Sequence, residues 1–222
     1  MDTPVAPTSL LYLRARDTVE SRNQEIRKLR LRPEQLLALE NRKFKDYRTG
    51  LKNFCVQLCR IPGDQLFNCG AGIRKASIDA YGNLQLCLML RHPQTLFNLR
   101  KGTLWQGLAE FFPTVRKMKA KNPLYLKRCA RCFLKNLCEQ CPAVSWMESG
   151  MLDGWPQYFC EFTHAQARLI GLLKKGECAW EIDDWKQRIE KTCQSTTVVE
   201  PACLAHAETS DIQTVHSQEG KT

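Results

Sequence analysis

The sequence lacks any apolar run of the length that a bilayer crossing requires, which is about 20 residues. Its first seven residues, Met-Asp-Thr-Pro-Val-Ala-Pro, are acidic and poor in apolar side chains, so they do not resemble a secretory signal. No internal repeat is present. We therefore expect neither a membrane protein nor an exported one, and we predict a cytoplasmic location. The 222 residues, 43% of them hydrophobic, provide for one domain or two small ones.

The charge is unevenly distributed along the chain. The formal net charge is +10, and residues 61–175 carry 16 Lys and Arg against 7 Asp and Glu. Residues 176–222 reverse this balance, with 4 against 9. A basic body is compatible with nucleic acid, an acidic peptide or an anionic cofactor as a partner, but it is more often an ordinary solvated surface.

Cysteine is abundant, and seven of the twelve cysteines form a spaced pattern. In a chain without an export signal, thiols at this density are more often metal ligands than disulfide partners. Two C-x2-C pairs five residues apart favour a four-sulfur zinc site, but that reading leaves three cysteines without a role. Iron–sulfur clusters accept crowded thiolates and use them almost exclusively. The pattern is Cys69-x12-Gly82-x4-Cys87, then Cys129-x2-Cys132-x5-Cys138-x2-Cys141, then Cys160.

Local signals predict an α+β fold that is small and rich in loops. Alternation around Gly82-Asn83 predicts a β-hairpin over residues 76–88. Pro33-Glu34 is typical of a helix start. Helical spacing predicts helices over 104–118, with a break or kink at Pro113, and over 161–175. We also predict a short strand over 10–17, a basic surface connection over 41–53, a helical extension over 181–192 and a disordered tail from about residue 193.

The full cysteine pattern closely resembles that of the SPASM domain, the C-terminal auxiliary iron–sulfur module of one group of radical S-adenosylmethionine enzymes. The intervening words match as well: Cys69-Gly-Ala-Gly, Ile78-Asp-Ala-Tyr-Gly82, Leu90-Arg91, Asn98-Leu-Arg-Lys-Gly102 before Trp105, and Cys141-Pro-Ala. The resemblance covers about residues 60–173, and a weaker one to the end of a catalytic barrel covers 10–60. It implies a barrel remnant or linker over 1–60, an auxiliary-cluster domain over 61–175 and an acidic tail over 176–222.

The resemblance implies two 4Fe–4S clusters. The first would be held by Cys69, Cys87 and Cys141, and the second by Cys129, Cys132, Cys138 and Cys160. Tyr81 and Arg91 flank cysteines of the first cluster and would tune it by hydrogen bonds to sulfur. His164 would donate to a cluster or a carbonyl, or be an ordinary core histidine. Two features depart from the family: the last internal spacing is x2 rather than x3, and no extra cysteine follows Cys69, so the fourth ligand of the first cluster is unassigned.

A further departure concerns catalysis. Radical S-adenosylmethionine enzymes bind their cofactor at a Cys-x3-Cys-x2-Cys motif, which this sequence lacks; the x3 pair Cys55 and Cys59 is followed only by Cys69. We therefore expect the chain to be inactive alone and to complement a catalytic barrel in a missing N-terminal region or a partner chain. The resemblance further implies a peptide or protein substrate and an electron donor such as flavodoxin or ferredoxin. The alternative is a zinc-binding interaction module contacting protein or nucleic acid; no membrane partner is expected, and nucleic acid is the less favoured one.

Overall fold

The N-terminal part of the chain is helical. The computed structural model describes residues 10–14, 20–57 and 62–194, with the backbone alone for 55–57 and 193–194. Three helices come first: α1 (Glu20–Leu29), α2 (Pro33–Lys43) and α3 (Tyr47–Gln57). The predicted start at Pro33 is confirmed, and a proline fits a first helical position because its missing amide would have no partner there.

Two predictions for this part are wrong. Residues 10–14 form no strand; Leu10 and Leu13 are buried against Leu36, and the side chain of Asn23 accepts a 2.8 Å hydrogen bond from the Arg14 amide. The apolar pattern there reflects burial of these side chains. The Asn23 side chain forms the hydrogen bond to the backbone that a neighbouring strand would otherwise form. Residues 15–17 of this prediction lie outside the described residues. The basic segment 41–53 is no surface connection, because α3 buries Tyr47 and Leu51, one turn apart, in a core.

The hairpin prediction is confirmed, and a third strand extends it. Strands β1 (Ser77–Ile78), β2 (Asn83–Gln85) and β3 (Leu96–Asn98) form an antiparallel sheet in the order β1-β2-β3. The carboxylate of Asp79 accepts hydrogen bonds of 2.9 Å from the amides of Tyr81 and Asn83, which closes the turn. Gly82 has a φ of +80°, a conformation that glycine adopts at little cost.

The helix predicted over 104–118 is present but irregular. It consists of α4 (Leu104–Gln106), a π-helical segment (Gly107–Phe111) and α5 (Phe112–Arg116). The predicted irregularity at Pro113 therefore takes the form of a wider turn just before the proline, which has no amide to continue the α-helical ladder. Phe112 and Val115 are buried against the sheet residue Leu84.

The C-terminal half supplies the remaining helices. They are α6 (Pro123–Lys127), α7 (Pro142–Ser149), α8 (Gln157–Leu169) and α9 (Trp185–Gln194), with short 3-10 turns at Phe133–Asn136 and Ala179–Glu181. The helix predicted over 161–175 starts earlier and ends earlier, because the chain turns at Gly171, which has a φ of +83°. The predicted helical character of 181–192 is confirmed by α9, whereas residues 195–222 lie outside the described part.

The architecture therefore mixes α-helices with one small antiparallel sheet, in agreement with the predicted class. The buried side chains of the described residues form three clusters, and cysteines of the predicted pattern border each of them. None of the helices in the described part of the chain has both the length and the apolar character that a membrane crossing requires.

Candidate metal centre

The cysteines of the pattern converge on one cavity. Its volume is about 70 Å³, enough for several water molecules at about 15 Å³ each, so protein side chains do not fill the space between the sulfurs. Six of the seven patterned cysteines line this cavity: Cys69, Cys129, Cys132, Cys138, Cys141 and Cys160. The seventh, Cys87, does not line the cavity but lies close to Cys141.

The seven thiols form two sets, which differ in the neighbouring thiols that raise the pKa of each member. Burial raises the pKa of Cys129 to about 12, and the nearby Cys138 and Cys160 add to the rise. Burial likewise raises the pKa of Cys132, with the same two neighbours and Cys129 contributing. Cys129, Cys132, Cys138 and Cys160 are called the thiol quartet below.

The second set is centred on Cys141. Burial raises the pKa of this thiol. The nearby thiols that add to the rise are those of Cys87 and Cys69, which are not members of the quartet. Cys69, Cys87 and Cys141 are called the thiol trio below. Residues up to 72 positions apart in the chain thus meet in a set of three, while the quartet forms from one loop and one helix.

Arg116 positions the Cys69 end of the trio. Its guanidinium donates hydrogen bonds to the carbonyls of Cys69 (2.8 Å), Ala71 (2.6 Å) and Phe67 (3.4 Å). The amide of Gly72 then donates to the Leu86 carbonyl at 3.0 Å, next to Cys87. These contacts bring the loop that carries Cys69 to the end of strand β2.

Gly72 itself permits this close approach. Its φ is +72°, and a Cβ atom built there would lie 3.1 Å from both Leu86 and Phe112. A side chain at this position would therefore be strained and crowded. Steric crowding therefore explains why a glycine occupies position 72, the last residue of the Cys69-Gly-Ala-Gly motif.

Cys141 stands at the N-terminal end of α7. The backbone amides of Val144 and Ala143 act on its sulfur to lower the pKa, although burial outweighs them. Amides at a helix N-terminus favour a thiolate over a thiol. The position therefore supplies a partial positive charge to a sulfur that would be anionic as a ligand.

The quartet is held by a tight loop anchored in the core. Cys138 donates its amide to the Leu134 carbonyl at 3.0 Å, and Phe133, Leu134 and Leu137 are buried between its cysteines. The amide of Leu134 also acts to lower the pKa of Cys132. Three apolar side chains and the partly buried Cys132 thus fix this loop against the core.

Two cations lie beside the quartet. Arg128 and Lys135 both act to lower the pKa of Cys129. The guanidinium of Arg128 stacks on the rings of Trp155 (4.2 Å) and Trp180 (5.1 Å), and Lys135 donates to the Gly63 carbonyl at 2.9 Å. Such cations would offset the negative charge that four thiolates accumulate.

His164 lies one turn after Cys160 on α8. Its Nε2 accepts a 3.2 Å hydrogen bond from the Ala179 amide, so the proton of the neutral ring is on Nδ1. Nδ1 then donates to the Cys160 carbonyl at 2.8 Å and lies 3.6 Å from the Cys160 sulfur. Burial lowers the pKa of this histidine, in keeping with a neutral ring.

Trp155 is a neighbour of the quartet that the sequence did not reveal. Its indole Nε1 is buried and has no hydrogen-bond partner among the described residues. The indole lies near Cys160 and acts to lower the pKa of that thiol, which burial raises to about 11. An unpaired buried N–H beside a cysteine fits an acceptor such as a thiolate or a sulfide.

The role of Tyr81 and Arg91 in tuning the first cluster stays a prediction. Tyr81 stands on the hairpin turn and is 76% exposed, and Arg91 is half-buried. Neither lines the cavity in the described structure. The N–H groups that lie beside the sulfurs in the described structure include those of Trp155, His164 and main-chain amides.

An open cleft of about 570 Å³ adjoins the cavity. It runs along α8, where Cys160, His164 and Arg168 follow one another at intervals of four residues and so share one helix face. Cys178, outside both thiol sets, also lines it. Three residues border both the cavity and the cleft: Arg128, Cys160 and Trp180.

Within the described ranges, no three His, Cys, Asp or Glu side chains are grouped as ligands of a single metal ion. Comparison with protein-family models, with curated proteins and with solved structures finds no match to this chain. The candidate centre therefore rests on its geometry and donor set.

Proposed function

We propose that this chain is an auxiliary iron–sulfur domain that binds two 4Fe–4S clusters, one at the thiol quartet and one at the thiol trio. The observation that carries the proposal is that seven thiols from separate segments form a set of four and a set of three, six of them lining one cavity. Four thiolates satisfy every iron of a 4Fe–4S cluster, and three leave one iron for another ligand.

The donor set fits such clusters. Main-chain amides act on Cys132 and Cys141, the buried indole N–H of Trp155 lacks a partner in the described part, and two cations neighbour the quartet. N–H groups and positive charge around cysteine sulfurs are the means by which proteins stabilise and tune a cluster.

The alternative zinc module fits less well. It requires Cys129, Cys132, Cys138 and Cys141 on one ion, yet Cys141 is grouped with the trio. Four sulfurs bound to zinc at about 2.3 Å would stand about 3.8 Å apart around one ion. In a cluster each thiolate binds a different corner iron, so the sulfurs stand farther apart.

When bound, the clusters would supply one-electron transfer, and the trio cluster would offer one iron to a substrate heteroatom. The chain's own residues hold the thiolates, offset their charge and surround them with aromatic rings. We further propose that a radical S-adenosylmethionine barrel, in a missing N-terminal region or a partner chain, performs the catalysis on a peptide or protein. A flavodoxin or ferredoxin would provide the electrons, and S-adenosylmethionine would bind only to the barrel.

Anaerobic reconstitution with iron and sulfide tests this proposal. We expect about eight irons per chain, four for each cluster, and broad visible absorption. Cys178→Ser is the matched control: this half-buried cysteine lies outside both thiol sets, so its removal should leave the iron content unchanged. A chain that takes up about one zinc and no iron would contradict the proposal and favour the zinc module.

A further inference from the structure

Among the seven thiols, Cys160 has a distinctive surrounding. It is the one member of the quartet that comes from an α-helix, α8, and it borders both the cavity and the open cleft. Main-chain amides act on Cys132 and Cys141. Two side-chain N–H groups, those of Trp155 and His164, lie beside Cys160.

The direction of the His164 donor is fixed by the fold. The Ala179 amide occupies Nε2, so Nδ1 carries the hydrogen and faces the end of the helical turn where Cys160 lies. That hydrogen is shared between the Cys160 carbonyl at 2.8 Å and the Cys160 sulfur at 3.6 Å. His164 is 7% exposed, so water does not compete strongly for the contact.

The Trp155 donor is independent of His164. It comes from the loop before α8, its ring is stacked against Arg128, and its Nε1 is buried without another described partner. A buried N–H left unpaired costs about 1–3 kcal/mol, so it gains from any acceptor that approaches. Trp155 and Cys160 line the same open cleft, so the Cys160 sulfur is a neighbouring acceptor for this indole.

We infer, resting on the proposed function, that Trp155 and His164 are positioning residues that set the reduction potential of the quartet cluster through the Cys160 sulfur. Reduction adds one electron to the cluster and increases the negative charge on its sulfurs. An N–H donor therefore stabilises the reduced form more than the oxidised form and raises the potential. The electron comes from the external donor of the proposed function, here replaced by dithionite.

Trp155→Phe is the primary test, because it removes the N–H and keeps most of the ring that packs on Arg128. Potentiometric titration of the anaerobically loaded protein, followed by EPR, should show two reduction steps. We expect the equilibrium constant of one reduction step to fall about tenfold, which lowers its potential by about 59 mV for a one-electron couple. The potential of the other step should not change. The iron content should equal that of the wild type.

His164 provides a second, paired test. His164→Asn keeps an N–H donor close to the position of Nδ1 and should retain the wild-type potential, whereas His164→Leu should lower the same step as Trp155→Phe. If His164→Leu fails to fold, Trp155→Phe alone decides the question.

The outcomes separate the two proposals. Fully loaded Trp155→Phe protein with both potentials unchanged would overturn this inference and leave the proposed function intact. A shift of both steps by equal amounts would also overturn it, since the effect would then not be local to the quartet. A wild-type chain that takes up no iron would overturn the proposed function and this inference together.

Discussion

The thiol trio and the thiol quartet are assembled in different ways. The trio joins three separate segments, and its positions depend on main-chain hydrogen bonds, on Arg116 and on the absence of a side chain at Gly72. Its Cys69 is exposed. The quartet takes three members from one loop that apolar side chains anchor in the core, and its fourth from α8. A site made from a packed loop is part of the fold, whereas a site made from three loops depends on their docking.

Serine substitutions in the two sets should reveal this difference, with the largest effect in the quartet. Cys132→Ser and Cys69→Ser should each lose about four of the eight irons, since each breaks one cluster. Cys132→Ser should also lower the melting temperature of the loaded protein markedly, because metal binding at the quartet is coupled to the packing of Phe133 and Leu134. Calorimetry and iron analysis of the same samples test this.

Cys178→Ser serves as the control for the loss of a thiol outside both sets. Equal falls in melting temperature for Cys132→Ser and Cys69→Ser would remove the proposed asymmetry between quartet and trio.

Arg116→Ala should produce a smaller and more local effect. It removes three charged hydrogen bonds to the loop that carries Cys69, and we expect a loss of about 2 kcal/mol in the free energy of unfolding. A chelator should then remove the trio iron faster than in the wild type while the quartet iron persists. Urea unfolding and timed iron release measure the two effects.

Arg116→Lys is the matched variant. Lysine keeps the charge but cannot bridge several carbonyls as the planar guanidinium does. The free energy of unfolding and the rate of trio iron release of this variant should therefore lie between those of Arg116→Ala and the wild type. Loss of quartet iron before trio iron in Arg116→Ala would show that Arg116 does not act on the Cys69 loop.

The smallest effect concerns pH and the metal-free protein. Burial lowers the pKa of His164 below its usual value of about 6.5, so the unfolded chain binds the proton more readily than the folded one. Stability is therefore complete above about pH 6.5 and decreases as the pH falls from there toward the lowered pKa. Chemical unfolding of reduced, metal-free protein between about pH 5 and about pH 8 measures the slope.

His164→Asn should have a shallower slope over the same interval. His92, whose pKa burial also lowers, is unchanged in the variant and supplies a common background. Identical slopes for the variant and the wild type would mean that His164 does not contribute to the pH dependence.

Elements with strong local signals were predictable from the sequence. Gly82-Asn83 between alternating residues marked the hairpin, and Pro33 marked a helix start. The segment 10–14 was not predictable in this way, because its apolar residues are buried without strand pairing and the Asn23 side chain satisfies the Arg14 backbone. The prediction for 41–53 was wrong because charged residues cover the outer side of a helix whose buried residues, in its part with described side chains, are Tyr47 and Leu51.

The candidate site was predictable only in part. The spacing of the cysteines and the family resemblance indicated the two sets, and the structure places the same thiols near one another; their role as ligands stays a prediction. Trp155 gave no signal, since a lone tryptophan in a loop has no periodic relation to Cys160. Tyr81 was chosen because it is close to a cysteine in sequence, but the hairpin turn directs it to solvent.

The three residues shared by the cavity and the cleft have a consequence for how charge would enter or leave. Arg128, Cys160 and Trp180 each border both spaces, so at these points a single residue separates the cavity from the cleft. A small redox carrier seated in the cleft would thus face the quartet with an indole and a sulfur as the intervening medium.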